Sequence, residues 1–278
     1  MLRLASAAAV AIALTASAPA LANDAQLQAA VAGAQRSDAH KARDAARHPV
    51  ETLSFWGVKP KQTVIEISPG SGYWTEILAP YAKATGGTYV ATAADLANPS
   101  ISEAAKAGRA AFEAKYADTA KYGTIKNVGF GPTSGPLGAA GSADMVITAR
   151  NIHNWATQPA LLDKVMKDFH AVLKTGGVLA VEEHRADPKP EAPGLASGYM
   201  SEATVIAAAE KAGFKLAAKS EVNANPKDTK DHPFGVWTLP PVRQTAPRGQ
   251  PANPSFDRTK YDAIGESDRM TLRFVKAG

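Results

Sequence analysis

The 278-residue chain contains no cysteine. That absence removes disulfides, thiolate metal sites and thiol nucleophiles together, and with them lipid attachment at a cysteine behind an export signal. No block of like charge is present either. The net charge of +5 is spread over a chain whose acidic and basic residues alternate throughout, which excludes a nucleic-acid stripe and leaves a solvated basic surface. Such a surface is weakly attracted to an anionic envelope at most. The longest apolar run, Leu4 to Ala18, is interrupted by Ser and Thr and falls short of the roughly 20 residues of a comfortable membrane span. No internal repeat is visible. Tight metal-ligand spacing such as H-E-x-x-H is also missing. His153, His184 and His232, with Glu182 or Glu183, are scattered N/O donors, so no metal is expected, and a metal-dependent hydrolase would rest on those histidines alone.

What is present begins at the N-terminus. Met1-Leu2-Arg3, the apolar run, and Ala20-Leu21-Ala22 together form the pattern of a Sec-type signal peptide over 1–22, with cleavage near Ala22/Asn23. No twin arginine precedes the run, which favours export of the unfolded chain. The expected location is the periplasm or the exterior, with no stable membrane insertion after cleavage. Residues 23–278 are long enough for one large α/β domain. An N-terminal helical extension (23–60) precedes it, and a Pro-rich insertion (223–255) interrupts it before the last strand.

Apolar β-branched runs predict strands at 64–67, 88–92, 125–130, 144–148, 178–182, 214–222 and 270–275. Helical spacing predicts helices over 25–47, 75–79 onward, 100–121, 159–173 and 201–212. Ser201 is a candidate N-cap, and Pro49 disfavours helix at His48. Alternation of strand and helix predicts a mostly parallel sheet covered on both faces. The last two strands lack a helix between them, so one of them is expected to enter antiparallel.

The most informative stretch is Val64-Ile65-Glu66-Ile67-Ser68-Pro69-Gly70-Ser71-Gly72-Tyr73-Trp74-Thr75. A strand meets a turn with two glycines, and a helix follows. This order brings backbone N–H groups against a nucleoside-type cofactor, and glycine permits the close approach. Glu66 sits inside the apolar strand, where an unpaired carboxylate is costly, so it is expected to face a ligand or fixed donors. The dinucleotide fingerprint G-x-G-x-x-G is not met, because Thr75 stands where its last glycine belongs.

Two further clusters fall at the carboxyl ends of strands, where ligands of open α/β sheets bind. Asp144-Met145-Val146-Ile147-Thr148 runs into Ala149-Arg150-Asn151-Ile152-His153-Asn154-Trp155, a loop crowded with polar donors. His153 suits a general base, since histidine titrates near working pH. Glu182-Glu183-His184-Arg185 closes the fifth strand, with His184 a second candidate base and Glu183–Arg185 a candidate surface pair. Near the N-terminus, Arg43, Asp44, Arg47 and His48 are either dipole partners of a helix end or a polar wall of the cofactor cleft.

The spacing Glu66-x-Ser68-x-Gly70-x-Gly72 resembles the first motif of class I S-adenosylmethionine-dependent methyltransferases, acidic-x-Gly-x-Gly-x-Gly, and the run from Asp144 to Trp155 resembles their fourth-strand motif. A wider set of segments is similar to the exported methyltransferases of proteobacteria. It comprises Arg43–Pro49, Glu66–Tyr81, Arg150–Trp155, Glu183–Ala186, Asn223–Thr229, Val236–Pro241 and Ile264–Met270, and the resemblance extends over nearly the whole of 23–278. The resemblance implies a Rossmann-like class I methyltransferase fold, with a mostly parallel seven-stranded sheet, one antiparallel strand and helices on both faces. It implies S-adenosyl-L-methionine as cofactor and a small-molecule or envelope-associated methyl acceptor. Glu66, Ser68, Gly70, Gly72, Tyr73, Asp95 and Arg150 would then hold the cofactor. Asn151, His153 and His184 would be catalytic, and Asn154, Trp155, Arg47 and His48 would meet the acceptor, with Asn151 and Trp155 walling the methyl site.

Two residues depart from the family pattern. Ser68 replaces the first motif glycine. Ala93 falls where an acid grips the ribose hydroxyls, so Asp95 would have to curl back to replace it; losing that bond costs about 1.5–3 kcal/mol of affinity. The alternative is a catalytically inactive protein of the same fold that binds a nucleoside-like or other small ligand.

Overall fold

The computed structural model describes residues 24–188 and 197–278, so the expected signal peptide lies outside the described residues. The N-terminal segment is four short helices: α1 (Ala25–Ala32), α2 (Asp38–Lys41), α3 (Asp44–Arg47) and α4 (Pro49–Trp56). This corrects the single helix expected over 25–47. The breaks have local causes. Gly33 leaves the helix in extended geometry, and Ser37 restarts it with extended φ/ψ. His48 is left-handed at φ 42°, with Pro49 at the first position of α4, where its missing N–H costs nothing. Among the described residues no helix is long and apolar enough to cross a membrane.

The sheet follows the alternating pattern. β1 (Thr63–Ile67), α5 (Thr75–Thr85), β2 (Thr88–Ala94), α6 (Glu103–Lys115), α7 (Thr119–Tyr122), β3 (Lys126–Phe130), β4 (Ala143–Ala149), α8 (Ile152–Ala156), α9 (Pro159–Val172), β5 (Leu173–His184), α10 (Glu202–Lys211), β6 (Phe214–Ser220), α11 (Thr259–Ile264) and β7 (Arg269–Lys276) come in that order. Strand order is β3-β2-β1-β4-β5-β7-β6. The first five are parallel neighbours, and β7 runs antiparallel between β5 and β6. Ser201 caps α10, its hydroxyl accepting the Thr204 N–H. β5 is longer than the sequence pattern suggests. Leu173 pairs with Ala143 before the register slips to Met145↔Val178, and the slip leaves residues 174–177, with Gly176-Gly177 among them, as an irregularity inside the strand.

Two apolar layers flank the sheet. One, built around Trp56, Trp74, Ile77 and Leu78, packs α1, α4 and α5 on one face. The other, around Val165, Phe169, Val205 and Phe274, packs α9 and α10 on the opposite face. Strand order reverses between β1 and β4, which stay paired to Ile67 and Thr148, so the connections that follow them lead to opposite sides of the sheet and leave the crevice characteristic of such a switch point.

Candidate active site at the β1–β4 switch point

A cavity of about 250 Å3 opens at that crevice. Its walls come from the turn after β1 (Glu66 to Ser71, Tyr73, Trp74), from Ala149, Arg150, Asn151, His153 and Asn154 after β4, and from His184 at the end of β5. Arg47, Glu266 and Ser267 close one side, and Val236, Trp237, Pro240, Pro241 and Val242 of the Pro-rich segment close another. A second cavity of about 620 Å3 adjoins it beneath the same segment. His153, Asn154, Trp237 and Val242 line both.

The turn is shaped by backbone geometry at three residues. Ser68 takes φ 48°, Gly70 59° and Gly72 89°. Ser68 therefore occupies the left-handed conformation that glycine would adopt freely, and its N–H donates to Thr92 Oγ1 at 2.7 Å. A Cβ on Gly72 would stand 1.8 Å from Tyr116 Oη, whereas one on Gly70 would meet nothing within 4 Å. Tyr116 fills the space behind Gly72 and donates to Ser71 O at 3.0 Å. The open side of Gly70 belongs to the cavity. Glu66 has the fixed donors expected of it: Tyr89 Oη donates to its Oε2 at 2.5 Å and Thr75 Oγ1 at 3.1 Å. Burial dominates nonetheless and pushes its carboxyl up to about 7, against those two hydrogen bonds and the charges of Arg150 and Arg47.

The β4 loop is tied back to β1 by Asn151, whose Nδ2 donates to Ile67 O at 3.0 Å. Arg150 takes φ 60°, and its N–H donates to Glu182 O at 2.7 Å. His153, in the first turn of α8, packs against Glu183, which the sequence offers as a scattered donor or as a surface partner of Arg185. Glu183 is fully buried. It lies 2.8 Å from His153 Nδ1, and it accepts the His153 N–H at 3.1 Å and the His184 N–H at 2.8 Å. A carboxylate only accepts, so His153 donates from Nδ1 and keeps its Nε2 for another partner. His184 Nδ1 contacts Ser267 Oγ at 2.6 Å. Burial first, then His153 and the nearby arginines, hold His184 well below the ordinary histidine range, so it is neutral.

Donor atoms of His153, Glu183 and His184 lie within 4.8 Å of one another, the spacing of a possible metal cluster. Three N–H contacts already engage the Glu183 carboxylate, and arginine charge surrounds His184. Both features favour a hydrogen-bonded His–Glu dyad over a cation site. His232 lies elsewhere, 2.8 Å from Asp228 through Nε2.

A buried charge cluster backs the cavity. Arg47 and Arg43 donate through Nε to Glu266 at 3.0 and 2.6 Å, and Arg269 Nη1 bridges Glu266 at 3.0 Å and Glu182 at 2.7 Å. Burial alone would raise Glu266, but Arg47, Arg269 and Arg43 outweigh it and hold the carboxyl down to about 2. Tyr73 donates to Asp44 at 2.7 Å, and its ring lies 4.5 Å from the Arg47 guanidinium carbon.

Trp155, Asp95 and His48 fall outside the cavity. Trp155 is not a wall of the site. Its ring packs edge-on against Phe130 and Phe169 at 5.6 and 6.0 Å, inside the apolar layer, because the single turn of α8 directs it inward. Asp95 spends Oδ1 on the Ala97 N–H at 3.0 Å. His48 serves the junction of α3 and α4. The remaining candidates, Arg47, Glu66, Ser68, Gly70, Tyr73, Arg150, Asn151, His153, Asn154 and His184, share the one cavity, while Gly72 supports the turn from behind. The sequence named Glu183 without its role as the partner of His153, and it did not single out Glu266, Ser267 or Trp237 as site residues.

No protein-family model and no curated protein matches the chain. Solved structures do. The pyocyanin biosynthetic protein PhzM is 11% identical, with 86% of this chain and 56% of that one covered at a TM-score of 0.51. A SAM-dependent methyltransferase from Aquifex aeolicus is 19% identical over 66% of this chain and 87% of that one, at 0.47. An arsenic(III) S-adenosylmethionine methyltransferase from Chlamydomonas reinhardtii is 14% identical over 91% of this chain and 73% of that one, at 0.49. At 11% identity the likeness to PhzM speaks to fold alone, and the strand order β3-β2-β1-β4-β5-β7-β6 with β7 antiparallel is that of the Rossmann-like class I methyltransferase fold.

Proposed function

We propose that the chain is an exported S-adenosylmethionine-dependent methyltransferase that acts on a small-molecule or envelope-associated acceptor. The observation that carries this reading is convergence. The glycine turn after β1, the polar loop after β4 and the His153–Glu183 dyad meet at one cavity, at the place where this fold binds ligands. Export rests on the Met1–Ala22 pattern.

The residues present fit the cofactor. Gly70 leaves open the space a side chain would fill, Gly72 lets the turn close on Tyr116, and Arg47, Tyr73 and Arg150 line the adjoining wall. When bound, the cofactor supplies an electrophilic methyl group on a sulfonium sulfur. The protein's tasks are to align the acceptor and to take its proton. Asn151 fixes the β4 loop against β1. Glu183 holds the His153 ring in one orientation, so that Nε2 accepts the proton and Nδ1 stays on the carboxylate. The Pro-rich segment covers the cavity with Trp237, whose ring lies 5.9 Å from that of His153, and limits water there. The alternative, a binding module of the same fold, draws on the acid missing at Ala93 and on export of the chain from the compartment where the cofactor is made, and it leaves the His–Glu dyad without a task.

The test is methyl transfer from tritiated cofactor into the small-molecule fraction of an envelope extract. The wild-type chain should label that fraction. His153→Gln should bind cofactor equally and lose about 100-fold in labelling. Equal labelling by both proteins, or none by the wild type, contradicts the assignment.

A further inference from the structure

We infer that the second cavity, beneath the Pro-rich segment, is the acceptor chamber and takes a phenol that carries an anionic group. The inference rests on the methyltransferase reading above and names the class of its acceptor.

The chamber of about 620 Å3 meets the first cavity at His153, Asn154, Trp237 and Val242, which line both. His153 is 5% exposed. With Nδ1 on Glu183, its Nε2 remains for a ligand at this junction. A base placed there serves an acceptor that has a proton to lose. Phenols, like the tyrosine hydroxyl, ionise at about pH 10, which a histidine base can match far better than it matches an aliphatic alcohol. In the transfer the phenolic proton passes to Nε2 and the oxygen bonds to the methyl carbon. The carbon–sulfur bond of the sulfonium donor breaks, and its electron pair leaves with a neutral thioether.

The walls select a ring. Phe234 and Trp237 line the chamber. Phe256 braces Phe234 at 5.7 Å between ring centres, and the Trp237 ring stands 5.9 Å from that of His153, so a ring bound beside Trp237 adjoins the base. Val242 continues this apolar wall and is 57% exposed, surface that a bound aromatic would cover. Charge selects the substituent. No acid lines the chamber, whereas Arg248 does. Arg243 and Arg258 of the same region are both held by Asp262, but Arg248 pairs with no acid among the described residues. Because Arg248 lines the second cavity and not the first, the anionic group belongs to the acceptor. A cationic phenol would meet the guanidinium with like charge and find no carboxylate on the walls.

Calorimetry on the full chain at low ionic strength, with and without saturating S-adenosylhomocysteine, compares three probes. They are para-hydroxyphenylacetate, tyramine (the same phenol with the opposite charge) and the ring-saturated analogue of the first. The wild type should bind para-hydroxyphenylacetate roughly tenfold more tightly than either of the others. Arg248→Glu changes an exposed residue and should erase or invert the preference over tyramine. Trp237→Leu, or Phe234→Leu if the first does not fold, should erase the preference over the saturated analogue. Equal binding of the three probes overturns the chamber, as does a preference over tyramine that survives Arg248→Glu. Binding of S-adenosylhomocysteine with no probe binding also overturns it and leaves the methyltransferase reading standing. Arg248-dependent binding of para-hydroxyphenylacetate with no nucleoside binding supports the phenolic-anion site and removes the methyltransferase reading.

Discussion

Glu66 shows how one buried side chain sets a measurable pH dependence. Its folded pKa of about 7 lies above the ordinary carboxyl value of 4.5. A raised carboxyl contributes most below 4.5, where both folded and unfolded chains are protonated. The contribution falls as pH rises toward 7, because only the unfolded chain ionises freely in that window. Glu66→Gln removes the slope. The variant should gain on the wild type by up to about 3 kcal/mol between pH 4.5 and pH 8, read from urea midpoints at a series of pH values. Parallel curves for the two proteins would show that Glu66 stays ionised in the fold. The sequence made this residue legible as a buried acid needing donors, since it interrupts an apolar strand. It did not reveal the role of Glu183. Adjacent acids on a strand face opposite sides, and nothing in Glu182-Glu183 says that the first meets Arg269 and the second His153.

At the scale of elements, the glycine turn and α8 make opposite predictions about what a substitution disturbs. Gly72→Ala puts a methyl group against Tyr116 at a positive φ and should destabilise the fold by about 2 kcal/mol or more. Gly70→Val suffers the backbone strain alone and projects into open space, so it should remain folded and lose ligand binding. Denaturation and binding measured side by side separate them; equal loss of stability in both would contradict the geometry. Trp155→Ala should behave as a core truncation, costing about 3–5 kcal/mol, with ligand affinity unchanged in the folded fraction. Strands and most helices were readable from period and punctuation. The breaks at Gly33 and Ser37 and the inward turn of Trp155 were not, because α2, α3 and α8 are too short to show a period, and packing decides them.

The whole molecule brings distant sequence together at the carboxyl edge of the sheet. Arg47 and Glu266 are 219 residues apart, and Arg43 and Glu266 are 223 apart, yet they form one cluster behind the cavity. No local pattern announces such pairs. The sequence singled out the strand ends that line the cavity, through Glu66–Ser71, Arg150–Asn154 and His184. The fold then closed that edge with α3, the segment before β7 and the Pro-rich segment around Trp237. The central claim is that this closed edge holds the methyl-donor cofactor. Calorimetric titration of the purified chain with S-adenosylhomocysteine tests it most directly. Saturable one-site binding in the wild type, abolished in Gly70→Val, is the predicted result. No heat and no thermal shift at millimolar ligand would contradict it.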